Sequence, residues 1–190
     1  NSNTTNTIEE LLTKFNGLIV IDAAYIDFST EKSWLDRLDE FPKLIVTQTL
    51  SKAYGMAGIR LGICYASSEI ISILNKIKPP YNINELTQKK ALKKLLNKNK
   101  VQHEIEKILE QRKKLIEKLT SISFIEKIYP TDANFVLVKV DNAVKRYHQL
   151  IEKGIVIRNR TTQPGCENCL RFTIGIPEEN KILVDTLKSI

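Results

Sequence analysis

Two short, wholly apolar runs confine what this chain can build. Leu18-Ile19-Val20-Ile21 and Leu44-Ile45-Val46 are uncharged, rich in β-branched residues and too brief for helices. That is the pattern of strands buried on both faces of a parallel sheet. Between them Ser33 is placed to cap a short helix through Trp34 and Leu38 that ends near Pro42. Strand, helix, strand predicts a parallel pair joined by a right-handed crossover. Sheets of this kind gather ligands at the carboxyl ends of their strands, which here are Asp22 and the segment from Thr47 to Lys52.

The rest of the chain can be placed around that pair. An opening helix is predicted with Asn6 or Thr7 as cap, Ile8, Leu11 and Leu12 along one face, and Phe15-Asn16-Gly17 as its stop. Gly62-Ile63-Cys64-Tyr65 reads as a third strand, followed by a helix from Ser67 or Ser68 to about Ile77 that Pro79-Pro80 ends. Residues 84–119 read as helix, lysine-rich outside and weakest at 97–100. Short strands are expected at 124–129, 135–140, 155–158 and 170–174, with helices near 143–152 and 178–189. The expected class is α/β. Residues 1–83 belong to a mainly parallel sheet domain, and residues 84–190 form a linking helix and a smaller α+β domain.

Composition narrows the function classes. The net charge is +7, but many of the basic residues lie between Lys76 and Lys118, mixed with Glu on predicted helix. No nucleic-acid motif accompanies them and aromatics are not interleaved, so a solvated lysine-rich surface is the better reading than a nucleic-acid partner. No apolar run approaches the roughly 20 residues that cross a bilayer, and residues 1–5 carry neither a basic segment nor an apolar signal core. A cytoplasmic location is expected. The chain starts without Met, as a fragment or processed chain would. Three cysteines do not make a disulfide framework. Cys166 and Cys169 form a CxxC, but no second pair or nearby histidine completes a zinc site. The pair reads as incidental to a turn, and no metal is expected.

The segment 47–62, Thr-Gln-Thr-Leu-Ser-Lys-Ala-Tyr-Gly-Met-Ala-Gly-Ile-Arg-Leu-Gly, concentrates chemistry. Lys52 stands just past a buried strand. Thr49 and Ser51 precede it, Arg60 follows, and Gly55 and Gly58 let the loop fold tightly. An amine nucleophile beside hydroxyl and guanidinium anion contacts suits a phosphate-bearing aldehyde such as pyridoxal phosphate. The preceding strand ends in Asp22-Ala23-Ala24-Tyr25, with Asp22 30 residues before Lys52. A carboxylate there would keep a pyridine nitrogen protonated, and a tyrosine hydroxyl three residues on could reach a ring oxygen.

Taken in order, these segments resemble fold-type I aminotransferases of the histidinol-phosphate aminotransferase family. The resemblance rests on Asp22-Ala23-Ala24-Tyr25-Ile26-Asp27-Phe28-Ser29 and Ser51-Lys52-Ala53-Tyr54-Gly55-Met56-Ala57-Gly58-Ile59-Arg60. It continues through Pro79-Pro80-Tyr81-Asn82-Ile83-Asn84, Asn134-Phe135-Val136-Leu137, Gly154-Ile155-Val156-Ile157-Arg158 and Leu170-Arg171-Phe172-Thr173-Ile174-Gly175. It implies pyridoxal 5'-phosphate as cofactor, held covalently by Lys52, which also shuttles a proton. Asp22 would pair with the pyridinium and Tyr25 with the phenolic oxygen, while Thr49, Ser51 and Arg60 take the phosphate. Arg171 would bind the acidic group of the substrate, with Asn134 and Arg158 in supporting places.

The implied reaction is amino transfer between histidinol phosphate and 2-oxoglutarate in histidine biosynthesis, by a homodimer whose partners are small molecules. An aromatic aminotransferase, a threonine-phosphate decarboxylase and a non-catalytic fragment are the alternatives. The match departs from the family at Ala23, where a glutamate is usual, and it begins after the family's Asn-Pro-Thr-Gly segment. The chain therefore corresponds to the carboxy-terminal half, without the ring-contacting asparagine, the phosphate-cradling glycine loop or the amino-terminal arm. A sheet without those strands is expected to expose edges and apolar faces.

Overall fold

The computed structural model describes residues 5–190, so the reading of the first four residues lies outside it. Two compact units divide inside one helix, between His103 and Glu104.

The first unit is built on β1 (Ile19–Asp22), β2 (Leu44–Thr49) and β3 (Gly62–Tyr65), in the order β1-β2-β3. β1 and β2 run parallel, with Ile19 opposite Leu44 and Asp22 opposite Thr47; β3 pairs antiparallel with β2, with Thr49 opposite Gly62. The three strands, the parallel pair and its termini near Asp22 follow the sequence reading. The crossover is a 3-10 segment, Trp34–Glu40, instead of an α-helix, and Ser33 caps it by accepting from the Leu35 amide at 3.2 Å.

Helix α1 (Thr5–Lys14) and the 3-10 segment cover one face of this sheet. Ile19, Trp34, Leu44 and Val46 form the core there, with Ile8, Leu12, Leu38 and Phe41 packed against them. The Arg37 guanidinium ties the two covering elements together. It bonds Glu9 of α1 at 3.0 Å and Glu40 at 2.6 Å, and lies 5.2 Å from the Trp34 ring centroid.

Three expectations need correction. Asn6 and Thr7 lie within the opening helix, described over Thr5–Lys14, and are not its cap. Leu11 is 50% exposed, because its neighbours at helical spacing, Ile8 and Leu12, take the inward face. β1 is not buried on both faces: Val20 is 61% exposed, since side chains alternate along a strand and only one face of this sheet is covered. Beyond β3 come α2 (Ser68–Ile77) and α3 (Glu85–Leu95), the latter capped by Asn84 accepting from the Thr87 amide at 2.9 Å. Helix α4 (Lys98–Leu119) begins after a break at Leu96-Asn97. The predicted weak stretch is thus broken only at its first residue.

The second unit is an antiparallel sheet, β4 (Ile125–Ile128), β5 (Phe135–Val140), β6 (Arg158–Asn159) and β7 (Cys169–Thr173), in the order β4-β5-β7-β6. Alternate β5 residues Val136, Val138 and Val140 are fully buried. They meet Leu115 and Leu119 of α4, Leu150 of α5 (Ala143–Glu152), and Leu183 and Leu187 of α6 (Pro177–Lys188) in one core. This is the α+β arrangement expected for the later part of the chain.

β6 is shorter than the predicted 155–158. Gly154 adopts φ +77°, its amide donates to Ile151 and the Ile155 amide to Leu150, which is a Schellman closure of α5. The backbone is therefore still committed to the helix end at 155, and the ladder with β7 begins only at Arg158 opposite Arg171. Among the described residues, no helix is long and apolar enough to cross a membrane.

Candidate active site

The carboxyl ends of β1 and β2 lie side by side, as the parallel register requires. The Ala23 amide donates to the Thr47 carbonyl at 2.8 Å, carrying the pairing one step past Asp22. Asp22 is exposed at this rim, and its Oδ1 accepts from the Ala24 amide at 3.1 Å, which turns the chain away from the sheet. Ala23, where the family it resembles usually has a glutamate, packs against the core cluster. The turn delivers Tyr25, from which a single 3-10 turn, Ile26–Phe28, drives Phe28 into full burial.

β2 opens into a loop anchored by apolar residues. Leu50 and Ala53 are buried, the Leu50 amide reaches Leu61 at 3.4 Å, and the Met56 amide returns to Leu50 at 2.9 Å. Between these anchors the Gly55 amide donates to the Lys52 carbonyl at 2.9 Å, with Gly55 at φ +64°, a conformation that glycine adopts without strain. Lys52 is half-buried, and its Nζ lies 5.3 Å from the centroid of the Tyr25 ring. The loop therefore brings the lysine of one strand end over the tyrosine of the other. Gly58 does not share the positive φ of Gly55, but at both glycines the space where a Cβ would stand is open, with no atom beyond the chain neighbours within 4 Å.

Thr49 and Ser51 are linked. The Thr49 hydroxyl donates to Ser51 Oγ at 2.9 Å and accepts from the Ser51 amide at 3.1 Å. Arg60 is exposed and left-handed at φ 54°, with its Nη1 donating to the Ala57 carbonyl at 3.0 Å. A non-glycine residue held there is uncommon, and the conformation turns the chain from the loop into β3. One unit thus carries a carboxylate, a phenol, an amine, two hydroxyls and a guanidinium on neighbouring strand ends. That donor set matches the polar atoms of a phosphorylated pyridine aldehyde.

Two further groups here were not singled out from the sequence. Burial pushes the Asp27 carboxyl above the usual aspartate range. Burial and then the Asp27 charge raise the Tyr54 hydroxyl. The alternation of Tyr25 and Asp27 around a 3-10 turn was the available signal, but only the fold shows that the carboxyl turns inward.

Arg171 lies in the second unit, on β7. Its Cζ is 4.8 Å from the Phe135 ring centroid on the neighbouring strand, and its register partner on β6 is Arg158. Its Nε is buried without a hydrogen-bond partner, one of two such buried side-chain atoms among the described residues, with Thr161 Oγ1 the other. Two guanidinium-bearing residues directly opposite in a ladder repel, so this pair is suited to an anion. Sequence reading gave Arg158 only a supporting place. The turn signal Gln163-Pro164-Gly165 between the two arginines was enough to suggest the hairpin that pairs them. The backbone carbonyl of Asn134 accepts from the Ile174 amide at 2.9 Å, a role in the ladder that does not depend on its side chain.

Comparison with known proteins agrees with this layout. Residues 2–187 match the family described as aminotransferase class I and II. The chain is 63% identical over 188 residues to the histidinol-phosphate aminotransferase of Flavobacterium johnsoniae, covering 99% of this chain and 54% of that protein. Among solved structures, the histidinol-phosphate aminotransferase from Clostridium acetobutylicum superposes with a TM-score of 0.89 at 28% identity, over 97% of this chain and 57% of that one. A decarboxylase from Sulfurospirillum multivorans gives 0.87 at 28% identity, over 98% and 57%. The chain spans about half the length of the curated relatives it matches.

Proposed function

The chain belongs to the class I and II aminotransferases, and from that premise we propose that the full-length protein transfers an amino group between histidinol phosphate and 2-oxoglutarate with pyridoxal 5'-phosphate. The observation that carries the reading is Lys52 Nζ 5.3 Å from the Tyr25 ring, at the carboxyl ends of adjacent parallel strands. Two relatives at 63% identity, both histidinol-phosphate aminotransferases, support the choice of substrate.

Each residue then has a task. The Asp22 carboxylate pairs with the ring nitrogen of the cofactor, and the Tyr25 hydroxyl meets its phenolic oxygen. Thr49 and Ser51, already linked through their hydroxyls, bind the phosphate together with Arg60. Bound, pyridoxal phosphate supplies an electron-accepting ring that stabilises charge at the substrate α-carbon. Lys52 Nζ holds the cofactor covalently and then moves the proton at that carbon. Arg171 binds the acidic group of the substrate, supported by its partnerless buried Nε and by Arg158 across the ladder.

Residues 1–83 belong in this reading to the cofactor-binding domain and 84–190 to the linking helix and small domain. The protein acts as a cytoplasmic homodimer on small molecules. The test is amino transfer from histidinol phosphate by the full-length protein, compared with Lys52→Ala. Loss of a positioned acid–base group predicts a fall of about 10²–10⁴-fold or more. A variant as active as the parent would overturn the assignment.

The superposition on a decarboxylase at 28% identity favours one second reading, a decarboxylase of the same family, such as the threonine-phosphate decarboxylase that the sequence left open. Release of CO2 without transfer to 2-oxoglutarate would select it.

A further inference from the structure

The proposed reaction leaves the CxxC unused, and its geometry is more specific than the sequence suggested. The Cys169 amide donates to the Cys166 carbonyl at 3.0 Å, closing a four-residue turn whose third residue, Asn168, has φ 54°. A β-turn holds its end Cα atoms within about 7 Å, and disulfides usually span roughly 4.4–6.8 Å between Cα atoms. The turn is fixed on both sides. The Val140 amide donates to the Asn168 carbonyl at 2.9 Å, the Ala143 amide to Asn168 Oδ1 at 3.3 Å, and the Arg160 amide to the Cys169 carbonyl at 2.9 Å.

The two thiols are unequal. Both are free, Cys166 half-buried and Cys169 fully buried, with Cys169 Sγ turned back on its own loop toward the Glu167 carbonyl at 3.6 Å. Burial pushes the Cys169 thiol up against an opposing hydrogen bond from the Tyr129 hydroxyl, and the nearby Cys166 sulfur adds to the rise. Cys166 is therefore the sulfur that an external reagent meets first, with Cys169 behind it.

We propose that Cys166 and Cys169 are a redox-active dithiol that closes to a disulfide within the turn by exchange with a low-molecular-weight disulfide. The Cys166 thiolate attacks one sulfur of the small disulfide, forming a mixed disulfide and expelling one small thiolate. The Cys169 thiolate then attacks the Cys166 sulfur, the mixed bond breaks, and the second small thiolate leaves. The two protein thiols are oxidised by two electrons and lose two protons, and the small disulfide is reduced to two thiols.

Cys64, exposed on β3 and in the other unit, is the internal control. The experiment treats the full chain with oxidised glutathione, quenches with acid, alkylates remaining thiols after denaturation, and weighs the peptides. The expected result is a peptide carrying both Cys166 and Cys169, lighter by two hydrogens and unalkylated, while Cys64 retains glutathione. Cys169→Ala traps glutathione on Cys166, and Cys166→Ser leaves Cys169 alkylatable. The wild-type peptide decides the matter even where a variant unfolds. Full alkylation of both cysteines, or glutathione left on wild-type Cys166, overturns the proposal.

Discussion

Asp27 illustrates how a single side chain sets a pH response in this fold. Its carboxyl is raised chiefly by burial, so folding favours the protonated form. Its contribution to stability is present below the unfolded-state pKa and is lost as pH rises through the higher folded-state value. Asp27→Asn, neutral at every pH, should raise the thermal midpoint at neutral pH, with the gain vanishing on acidification. Midpoints at neutral and acid pH check this, and a gain independent of pH would count against it. Arg171 is the other residue with a sharp expectation. Under the proposed function, Arg171→Lys keeps the charge but loses the planar fork. A hydrogen bond to a charged group contributes about 1.5–3 kcal/mol, so KM for the acidic substrate should rise roughly tenfold to a hundredfold. Arg158→Ala should raise KM in the same direction, and an unchanged KM in both variants would remove this pair from the site.

At the scale of elements, the Asp141–Arg146 clasp at the start of α5 has the opposite sign to Asp27. Arg146 Nη2 bonds Asp141 Oδ2 at 2.7 Å while its Cζ lies 4.0 Å from the Phe124 ring. That hydrogen bond holds the Asp141 carboxyl below the usual range. Its stabilisation is therefore present above the unfolded-state pKa and disappears as pH falls through the folded-state value. Asp141→Asn should lower the melting temperature at neutral pH and match the parent in acid. The same element ends in a Schellman closure at Gly154, where φ +77° makes Gly154→Ala destabilising by about 1–2 kcal/mol, readable by denaturant titration. Elements were legible where pattern and local chemistry agreed. Val136, Val138 and Val140 alternate as a half-buried strand must, and Ser33 caps the segment it precedes. They were misread where a neighbour decided. Val20 looks like Val46, but only the latter faces a covered side of the sheet. Ile155 looks like strand until the helix closure at Leu150 claims its amide.

At the scale of the molecule, the sequence located the strand ends and the lysine between them, because buried parallel strands leave their chemistry at one rim. It did not reveal Arg158 opposite Arg171 as a pair, since register is set by the turn and by burial on both strands. Exposed apolar side chains on the first unit, Leu18 at 58% and Val20 at 61%, predict that the 190-residue chain alone self-associates. Sedimentation should show mass rising with concentration, and Val20→Lys should reduce it. The central claim is that Lys52 is the cofactor lysine of an organised site. The direct measurement is to titrate the full-length protein with pyridoxal phosphate, reduce it with borohydride, and locate the retained pyridoxyl group by peptide mass, beside Lys52→Ala. The account predicts stoichiometric labelling at Lys52 and none in the variant. Labelling scattered over surface lysines, or undiminished in Lys52→Ala, would contradict it.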